Sequence, residues 1–142
     1  MLQNGSGPKD FQVDGGPRLQ GNDFSAQIRQ GEVFLARMGN RVVGTITLQW
    51  NDPVFWNGAS PDGSYIHKLA VVRDYAGRKI GETMLRWAEN QTILAGKKYL
   101  RLDCLAASRI IRAYYEKAGH VHKGDVSPKG WRASLYEKPL SA

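Results

Sequence analysis

The pattern of apolar and polar residues is most regular between residues 65 and 95. Residues 65–72 are apolar and β-branched enough to form a buried strand, and Gly77 breaks that run. From Ile80 onward, apolar residues recur at the spacing of one helix face, with charged residues between them. Gly96 is placed to cap this helix at its C-terminus. The pattern predicts a strand, a glycine-bearing loop and an amphipathic helix that ends near residue 95.

A β-hairpin is predicted before this segment. Residues 32–38 and 41–50 are rich in β-forming residues, and Gly39-Asn40 between them is a two-residue turn signal of the primed type. The polar, turn-rich residues 51–63 follow and carry Phe55 and Trp56, which suits either a loop beside a binding cleft or aromatic closure of the core.

A strand, a helix and two more strands are predicted after residue 96. The strand covers residues 97–106, and Ser108 is a natural N-cap for a helix that Gly119 ends. The last strands are expected at residues 120–126 and 131–137. The resulting order β-β-β-α-β-α-β-β predicts an α/β (α+β) domain with one mixed sheet.

Residues 1–23 hold many glycines and prolines and few aliphatic residues, so they are interpreted as an irregular leader. A chain of 142 residues suits one domain, which we place at residues 24–142. Two alternatives remain for the leader: it contributes a strand without helices, or the fold is shortened at its N-terminus.

Charge, hydropathy and cysteine content limit the classes of function that the chain could have. Lys and Arg outnumber Asp and Glu by 20 to 13, which suits an anionic ligand, but the charges are spread along the chain and nucleic-acid binding is not expected. No apolar run approaches the roughly 20 residues of a membrane span, so no membrane association and a cytoplasmic location are expected. Cys104 is the single cysteine, and its place in a strand favours a buried thiol over a nucleophile.

The predicted loop before the helix is a candidate phosphate site. A helix N-terminus carries unpaired backbone N–H groups and a partial positive charge, and Gly77 and Gly81 would let a pyrophosphate approach the backbone.

Three ordered blocks resemble the GNAT superfamily of acyl-CoA-dependent N-acetyltransferases. They are the V-x-x-x-x-x-G-x-x-x-G loop from Val71 to Gly81, the strand YLRLDCLA, and the segment SRIIRAYYEKAGHVHKGDV. The resemblance implies a mixed, mostly antiparallel central sheet flanked by helices, with a shortened N-terminal region. It also implies acetyl-CoA as co-substrate, no metal, and direct attack by a primary amine on the thioester.

The resemblance assigns acetyl-CoA binding to a strand end, the phosphate loop and a helix cap. These positions are Leu69, Ala70, Val71, Ala76, Gly77, Arg78, Lys79, Ile80, Gly81 and Ser108. Three of them depart from the family pattern. Ala76 stands where the family prefers Arg or Gln, Lys79 where it prefers glycine, and Ser108 where it has asparagine; Arg73 and Arg78 are candidates to compensate.

Two residues are assigned to catalysis. Tyr115 matches the family tyrosine that acts as general acid on the CoA sulfur, which suits a phenol that stays protonated at neutral pH. His67 is the candidate general base, although a histidine that only hydrogen-bonds the acceptor or a neighbouring strand remains equally open. Asp103 and Glu116 are the fallback bases, acting through water.

The histidines near the C-terminus raise two smaller expectations. His120 replaces the phenylalanine usual after the family glycine, which makes that region more polar. His120 and His122 alternate and could face the same side, but without a further ligand at suitable spacing no metal site is predicted.

The acceptor is not identified by any pattern, and we expect a small-molecule primary amine. An aromatic lining would suit a cationic or ring-bearing amine, and the candidates for it are Trp50, Phe55, Trp56, Tyr65 and His67. A homodimer is favoured, because a partner could supply the missing N-terminal wall. A non-catalytic CoA sensor, a protein-amine acetyltransferase and a basic nucleic-acid-binding domain are the alternatives.

Overall fold

The computed structural model describes residues 11–15, 31–77 and 79–140, which form seven strands and two helices. In chain order the elements are β1 Phe11–Gly15, β2 Gly31–Met38, β3 Arg41–Gln49, β4 Gly63–Val71, α1 Ile80–Leu94, β5 Tyr99–Leu105, α2 Arg109–Lys117, β6 Val121–Val126 and β7 Ala133–Pro139. The sheet order is β1-β2-β3-β4-β5-β7-β6. The β4–β5 pair is parallel, and β1–β2, β2–β3, β5–β7 and β6–β7 are antiparallel. The predicted mixed, mostly antiparallel α/β fold is confirmed.

The chain divides into two compact units that share β4 and α1. The first contains Met1–Gln49 and His67–Asn90, and the second contains Trp50–Ile66 and Gln91–Ala142.

In the first unit, β1, β2 and β3 form an antiparallel meander. The predicted hairpin is present, with Met38 opposite Arg41, and a bulge between Ala36 and Arg37 shifts the register of β2. Gly39 has a φ of +61° and Asn40 a negative φ, which fits the primed turn expected from the sequence. The apolar faces of these strands and of α1 are buried, and Phe34 packs edge-on against Trp87 with ring centroids 4.6 Å apart.

The interpretation of residues 1–23 as irregular is wrong for Phe11–Gly15, which form β1 opposite residues 34–38 of β2. Phe11 and Val13 are buried, so alternate residues of β1 contribute to the core. The structure therefore matches the alternative in which the leader contributes a strand. The other leader residues lie outside the described part of the chain, and the boundary at residue 24 stays a prediction.

In the second unit, the predicted strands and the second helix are present with small shifts of their ends. The strands β6 and β7 begin at Val121 and Ala133, slightly later than predicted. Ser108 is the N-cap of α2, as predicted, because its Oγ accepts a hydrogen bond from the Ile111 backbone N–H at 3.3 Å. Gly119 has a φ of +99°, which ends the helix in a conformation that favours glycine.

A buried arginine organises the centre of the second unit. Arg101 is only 3% exposed and donates to the Glu137 carboxylate at 2.8 Å, to the Ser60 carbonyl at 2.8 Å, to Ser60 Oγ at 2.9 Å and to the Tyr65 hydroxyl at 2.7 Å. A Cβ at Gly63 would collide with this guanidinium. The charge is therefore paired, and four of the five N–H donors of the guanidinium are hydrogen-bonded, as expected of a buried arginine.

Among the described residues, no helix combines the length and the apolarity that a membrane-spanning segment needs.

Candidate active site

The end of β4 carries the first group of predicted acetyl-CoA contacts. The parallel ladder with β5 covers three residue pairs, from Gly63 opposite Tyr99 to Tyr65 opposite Arg101, and Leu69, Ala70 and Val71 lie beyond its last pair. Ala70 is exposed, whereas Leu69 and Val71 are half-buried. Their assignment to acetyl-CoA binding stays a prediction.

The backbone of β4 is locally distorted just before these residues. Lys68 has a φ of +55°, which is uncommon for a residue with a side chain and costs on the order of 1 kcal/mol. The strain lies between His67 and Leu69, which are the candidate base and the first of the predicted acyl contacts. Strained backbone is frequent at functional sites.

Gly44 of β3 lets the first unit close tightly around Ala70. A Cβ at this position would lie 2.7 Å from the Ala70 carbonyl oxygen and 2.9 Å from Met84 Sδ of α1. Glycine inside a strand often marks such close approach, so the segment VVGTITL carries a local signal for this contact. Gly44 therefore fixes the position of the β4 backbone relative to α1.

The loop after β4 combines a short helical turn with a glycine at positive φ. A short 3₁₀ turn at Arg73–Tyr75 is followed by Ala76 in extended conformation and by Gly77 with a φ of +82°. A Cβ at Gly77 would meet no atom within 4 Å, so the loop is open there. Arg78 lies outside the described residues, and Arg73 is exposed.

Lys79 completes the loop in a left-handed conformation, with a φ of +61°. This is the position at which the family pattern has glycine, the residue that adopts such a φ without strain. The conformation that glycine favours is therefore kept although lysine occupies the position. Its carbonyl accepts hydrogen bonds from the Thr83 N–H at 3.1 Å and from Thr83 Oγ1 at 2.9 Å, which starts α1.

The first turn of α1 supplies donors for an anion. The backbone N–H groups at a helix start have no acceptor within the helix, and their dipoles favour negative charge. Ile80 is buried and anchors the turn, while Gly81 is half-buried and bears no side chain that would cover these groups. The open loop and the uncovered helix start fit a pyrophosphate.

His67 lies half-buried on β4 in the first unit. Its assignment as general base stays a prediction.

Tyr115 lies on α2 in the second unit and is half-buried. Its ring packs edge-on against Tyr114 and His120, at centroid distances of 5.2 and 5.7 Å. Burial raises the pKa of Tyr115 well above its usual value, and the neighbouring Tyr114 adds to this shift. Within the described part of the chain, no group hydrogen-bonds the Tyr115 hydroxyl. The phenol is therefore protonated at neutral pH and has its proton available for donation.

The other candidates in the second unit have structural partners. Ser108 Oγ is engaged as the α2 cap. Glu116 accepts a hydrogen bond of 2.6 Å from the Tyr136 hydroxyl, which in turn accepts one from Arg112 at 3.1 Å. Burial raises the pKa of the Cys104 thiol, which disfavours the thiolate and agrees with a structural cysteine.

The expected aromatic lining is wrong for Tyr65, which is 4% exposed and accepts a hydrogen bond from Arg101. Trp56 is half-buried, with its ring centroid 6.0 Å from that of Tyr65, so this pair belongs to the core around Arg101. Trp50 is exposed, and Phe55 is half-buried against Trp131 with ring centroids 5.6 Å apart.

The idea that His120 and His122 face the same side is also wrong. His120 is 3% exposed, whereas the His122 side chain is 37% exposed and pairs with Asp125 at 2.8 Å. His120 precedes β6 and is held by the end of α2, so strand alternation does not apply to it. The polarity of His120 is evident from the sequence, whereas its contact with Tyr115 is not.

Comparisons with known proteins agree with the fold. The chain is 28% identical over 126 residues to the uncharacterized N-acetyltransferase YesJ of Bacillus subtilis (strain 168). The alignment covers 85% of this chain and 68% of that protein. A GNAT family acetyltransferase from Elizabethkingia anophelis, solved with acetyl-CoA bound, superposes with a TM-score of 0.74 at 14% identity and covers 94% of this chain and all of that one. A putative streptothricin acetyltransferase from Bacillus anthracis, solved with acetyl coenzyme A, gives a TM-score of 0.65 at 19% identity, over 79% of this chain and 64% of that one.

A family model covers most of the sequence. The model of the Acetyltransferase (GNAT) family matches residues 7–120, which include β1, the phosphate loop and Tyr115. The ordered blocks, the sheet and the family model agree, and the chain belongs to the GNAT family of acetyltransferases.

Proposed function

We propose that the protein transfers the acetyl group of acetyl-CoA to a primary amine of a small molecule by direct attack. The observation that carries the proposal is the loop from Gly77 to Ile80. The positive φ values of Gly77 and Lys79 and the open space at Gly77 support a pyrophosphate site at the start of α1, despite Ala76 and Lys79.

Each part of the chain has a distinct role in this proposal. Acetyl-CoA, when bound, supplies the activated acyl group as a thioester. The α1 N–H groups and the Gly77 loop hold its phosphates, and the backbone of residues 69–71 orients the acyl end. Tyr115 donates its proton to the departing sulfur, and His67 accepts the proton that the amine loses. A nucleophilic cysteine is not needed for direct attack.

The small-molecule acceptor is the finer part of the proposal. It is supported by the putative streptothricin acetyltransferase among the structural neighbours. The proposal includes a cytoplasmic location, which suits a chain with a single cysteine. It also includes a homodimer, which light scattering on the purified protein would test.

A non-catalytic CoA sensor is the second candidate. It is favoured by the lysine in the loop, because a strained, charged residue at this position could hold CoA without supporting turnover.

Calorimetric titration with acetyl-CoA, with CoA and ATP as comparison ligands, separates these possibilities. Tyr115→Phe removes the hydroxyl, and Tyr114→Phe is the matched control because Tyr114 is the more exposed neighbour on the same helix. We expect one-to-one binding in both variants. Acetylation across a panel of amines should fall by roughly a hundredfold or more in Tyr115→Phe alone.

The other outcomes discriminate clearly. Saturable binding without turnover on any amine supports the sensor. Failure to bind acetyl-CoA at low salt rejects both candidates. Equal activity losses in the two tyrosine variants reject the role of Tyr115.

A further inference from the structure

The end of α2 brings His120 against Tyr115. The Gly119 N–H bonds the Glu116 carbonyl at 3.1 Å and the His120 N–H bonds the Tyr115 carbonyl at 3.0 Å, with Gly119 at positive φ between them. This is the hydrogen-bond pattern of a Schellman motif, in which the residue after the glycine normally makes an apolar contact with the residue five positions before it. Here those two residues are His120 and Tyr115, whose rings meet edge-on at 77°.

The imidazole of His120 is a polar ring that is almost completely buried at a position where an apolar side chain is expected. His120 is 3% exposed, and neither Nδ1 nor Nε2 has a hydrogen-bond partner among the described residues. Burial, together with the nearby Lys138 charge, lowers the pKa of His120 to about 4, so the ring is neutral at physiological pH. A neutral imidazole has one donor and one acceptor nitrogen.

Two buried nitrogen atoms without partners are costly, and buried polar groups in folded proteins are usually satisfied by protein or by ordered water. A phenylalanine at this position would make the same ring contact with no polar atom. The histidine therefore adds a hydrogen-bonding function to a contact that does not otherwise need one.

The Tyr115 hydroxyl belongs to the ring that contacts His120, and it also makes no hydrogen bond to the described residues. The two rings are in edge-on contact, with centroids 5.7 Å apart. One water that makes two roughly tetrahedral hydrogen bonds of about 2.8 Å joins polar atoms about 4.5 Å apart, and this is the separation of the imidazole nitrogen and the phenol oxygen that the inference requires. A buried water normally needs two to four polar partners, which an imidazole nitrogen and a phenol oxygen begin to provide.

We propose that His120 holds a buried water molecule against the Tyr115 hydroxyl, and that this water fixes the direction in which the phenol donates its proton. The water donates to the phenol oxygen, so that the one O–H of Tyr115 remains for the departing sulfur. His120 is thus a positioning residue that acts through Tyr115. This inference rests on the proposed role of Tyr115 as general acid.

The water is tested first without any reaction. The chain has three histidines, so ¹⁵N-labelled His120 can be assigned by comparing the wild type with His120→Phe. We expect a neutral ring with a slowly exchanging N–H that shows a cross-peak to a long-lived water. Rapid exchange of that N–H, or a direct protein partner for both nitrogens, would overturn the proposal.

The positioning role is tested by a double-mutant cycle on acetyl transfer. His120→Phe keeps the ring contact and should lower kcat roughly tenfold, with the Kd for acetyl-CoA unchanged. The same substitution in the Tyr115→Phe background should have no further effect, because the hydroxyl on which it acts is gone. An unchanged kcat in the single variant, or an equal loss in both backgrounds, would refute positioning.

A second variant is a control for loss of activity through misfolding. His120→Gln retains one donor and one acceptor and should keep more activity than His120→Phe. If the wild type transfers no acetyl group to any amine, the proposed function fails, whereas the NMR experiment still decides whether His120 holds water.

Discussion

The phosphate loop and the interior of the second unit are built on opposite principles. In the loop, the important groups are backbone N–H donors and positive φ values at Gly77 and Lys79, and the side chains around them are mostly exposed. In the second unit, the important groups are buried polar side chains, with Arg101 fully paired and His120 without a described partner for its nitrogens. A backbone site tolerates changes of side chain, whereas a buried polar site depends on each atom.

The largest effect is expected when the buried charge of Arg101 is removed from the second unit. Arg101→Met would leave Glu137, Ser60 and the Tyr65 hydroxyl without their donor, and we expect the free energy of unfolding to fall by about 3–5 kcal/mol. Urea unfolding measures this. Arg132→Met is the control, because that side chain is 74% exposed beside Asp125 and its loss should change little. Equal effects of the two substitutions would contradict the central role of Arg101.

The second prediction concerns acid stability. The pKa of His120 is about 4 in the folded chain against 6.5 for an unperturbed imidazole, so the unfolded state binds the proton more readily below pH 6.5. Stability from this residue is complete above pH 6.5 and is lost as the pH falls towards 4, by about 2–3 kcal/mol. Denaturant unfolding between pH 4 and 7 should show this loss in the wild type but not in His120→Phe. Parallel pH curves for the two proteins would rule out the burial of a neutral ring.

The third prediction concerns the first unit, where Gly44→Ala tests the close approach of β3 to β4. The added Cβ would press on the Ala70 carbonyl and on Met84, and we expect a loss of about 1–3 kcal/mol in stability together with weaker acetyl-CoA binding. Gly39→Ala is the control, because no atom lies near its Cβ position and only its φ of +61° is strained. Unchanged acetyl-CoA affinity in Gly44→Ala would show that the end of β4 does not contribute to acetyl-CoA binding.

The smallest effect is expected at Lys79. Both Lys79→Gly and Lys79→Ala remove the ammonium group, but only glycine relieves the positive φ. The glycine variant should therefore be more stable than the alanine variant by about 0.5–1 kcal/mol. Thermal unfolding of both, with acetyl-CoA titrations beside it, separates backbone strain from the charge. A less stable glycine variant would mean that the left-handed conformation costs nothing here.

Local features of the sequence predicted most of the fold. The turn at Gly39-Asn40, the Ser108 cap and the glycines that end both helices are short-range signals, and the structure confirms each of them. The strand β1 was missed because it has five residues among glycines and gains its stability from pairing with β2.

The candidate site was predictable only where it depends on local chain geometry. The loop was located because glycine spacing and helix periodicity are local, but the positive φ of Lys79 could not be deduced from its identity. Arg101 was missed, because its partners Ser60 and Glu137 lie 41 and 36 residues away in the sequence. The position of Tyr65 was predicted wrongly for the same reason. The alternation of residues along β4 shows which face of the strand Tyr65 lies on, but not which distant residues cover that face.

Cys104 gives the second unit an intrinsic reporter of its own opening. It is the single thiol of the chain, 8% exposed and with a raised pKa, so an alkylating reagent should react with it mainly in molecules that have opened around β5. At low reagent concentration the labelling rate follows the opening equilibrium, and at high concentration it follows the opening rate. The unmodified protein thus permits a direct measurement of how often its interior is exposed and whether acetyl-CoA slows that exposure.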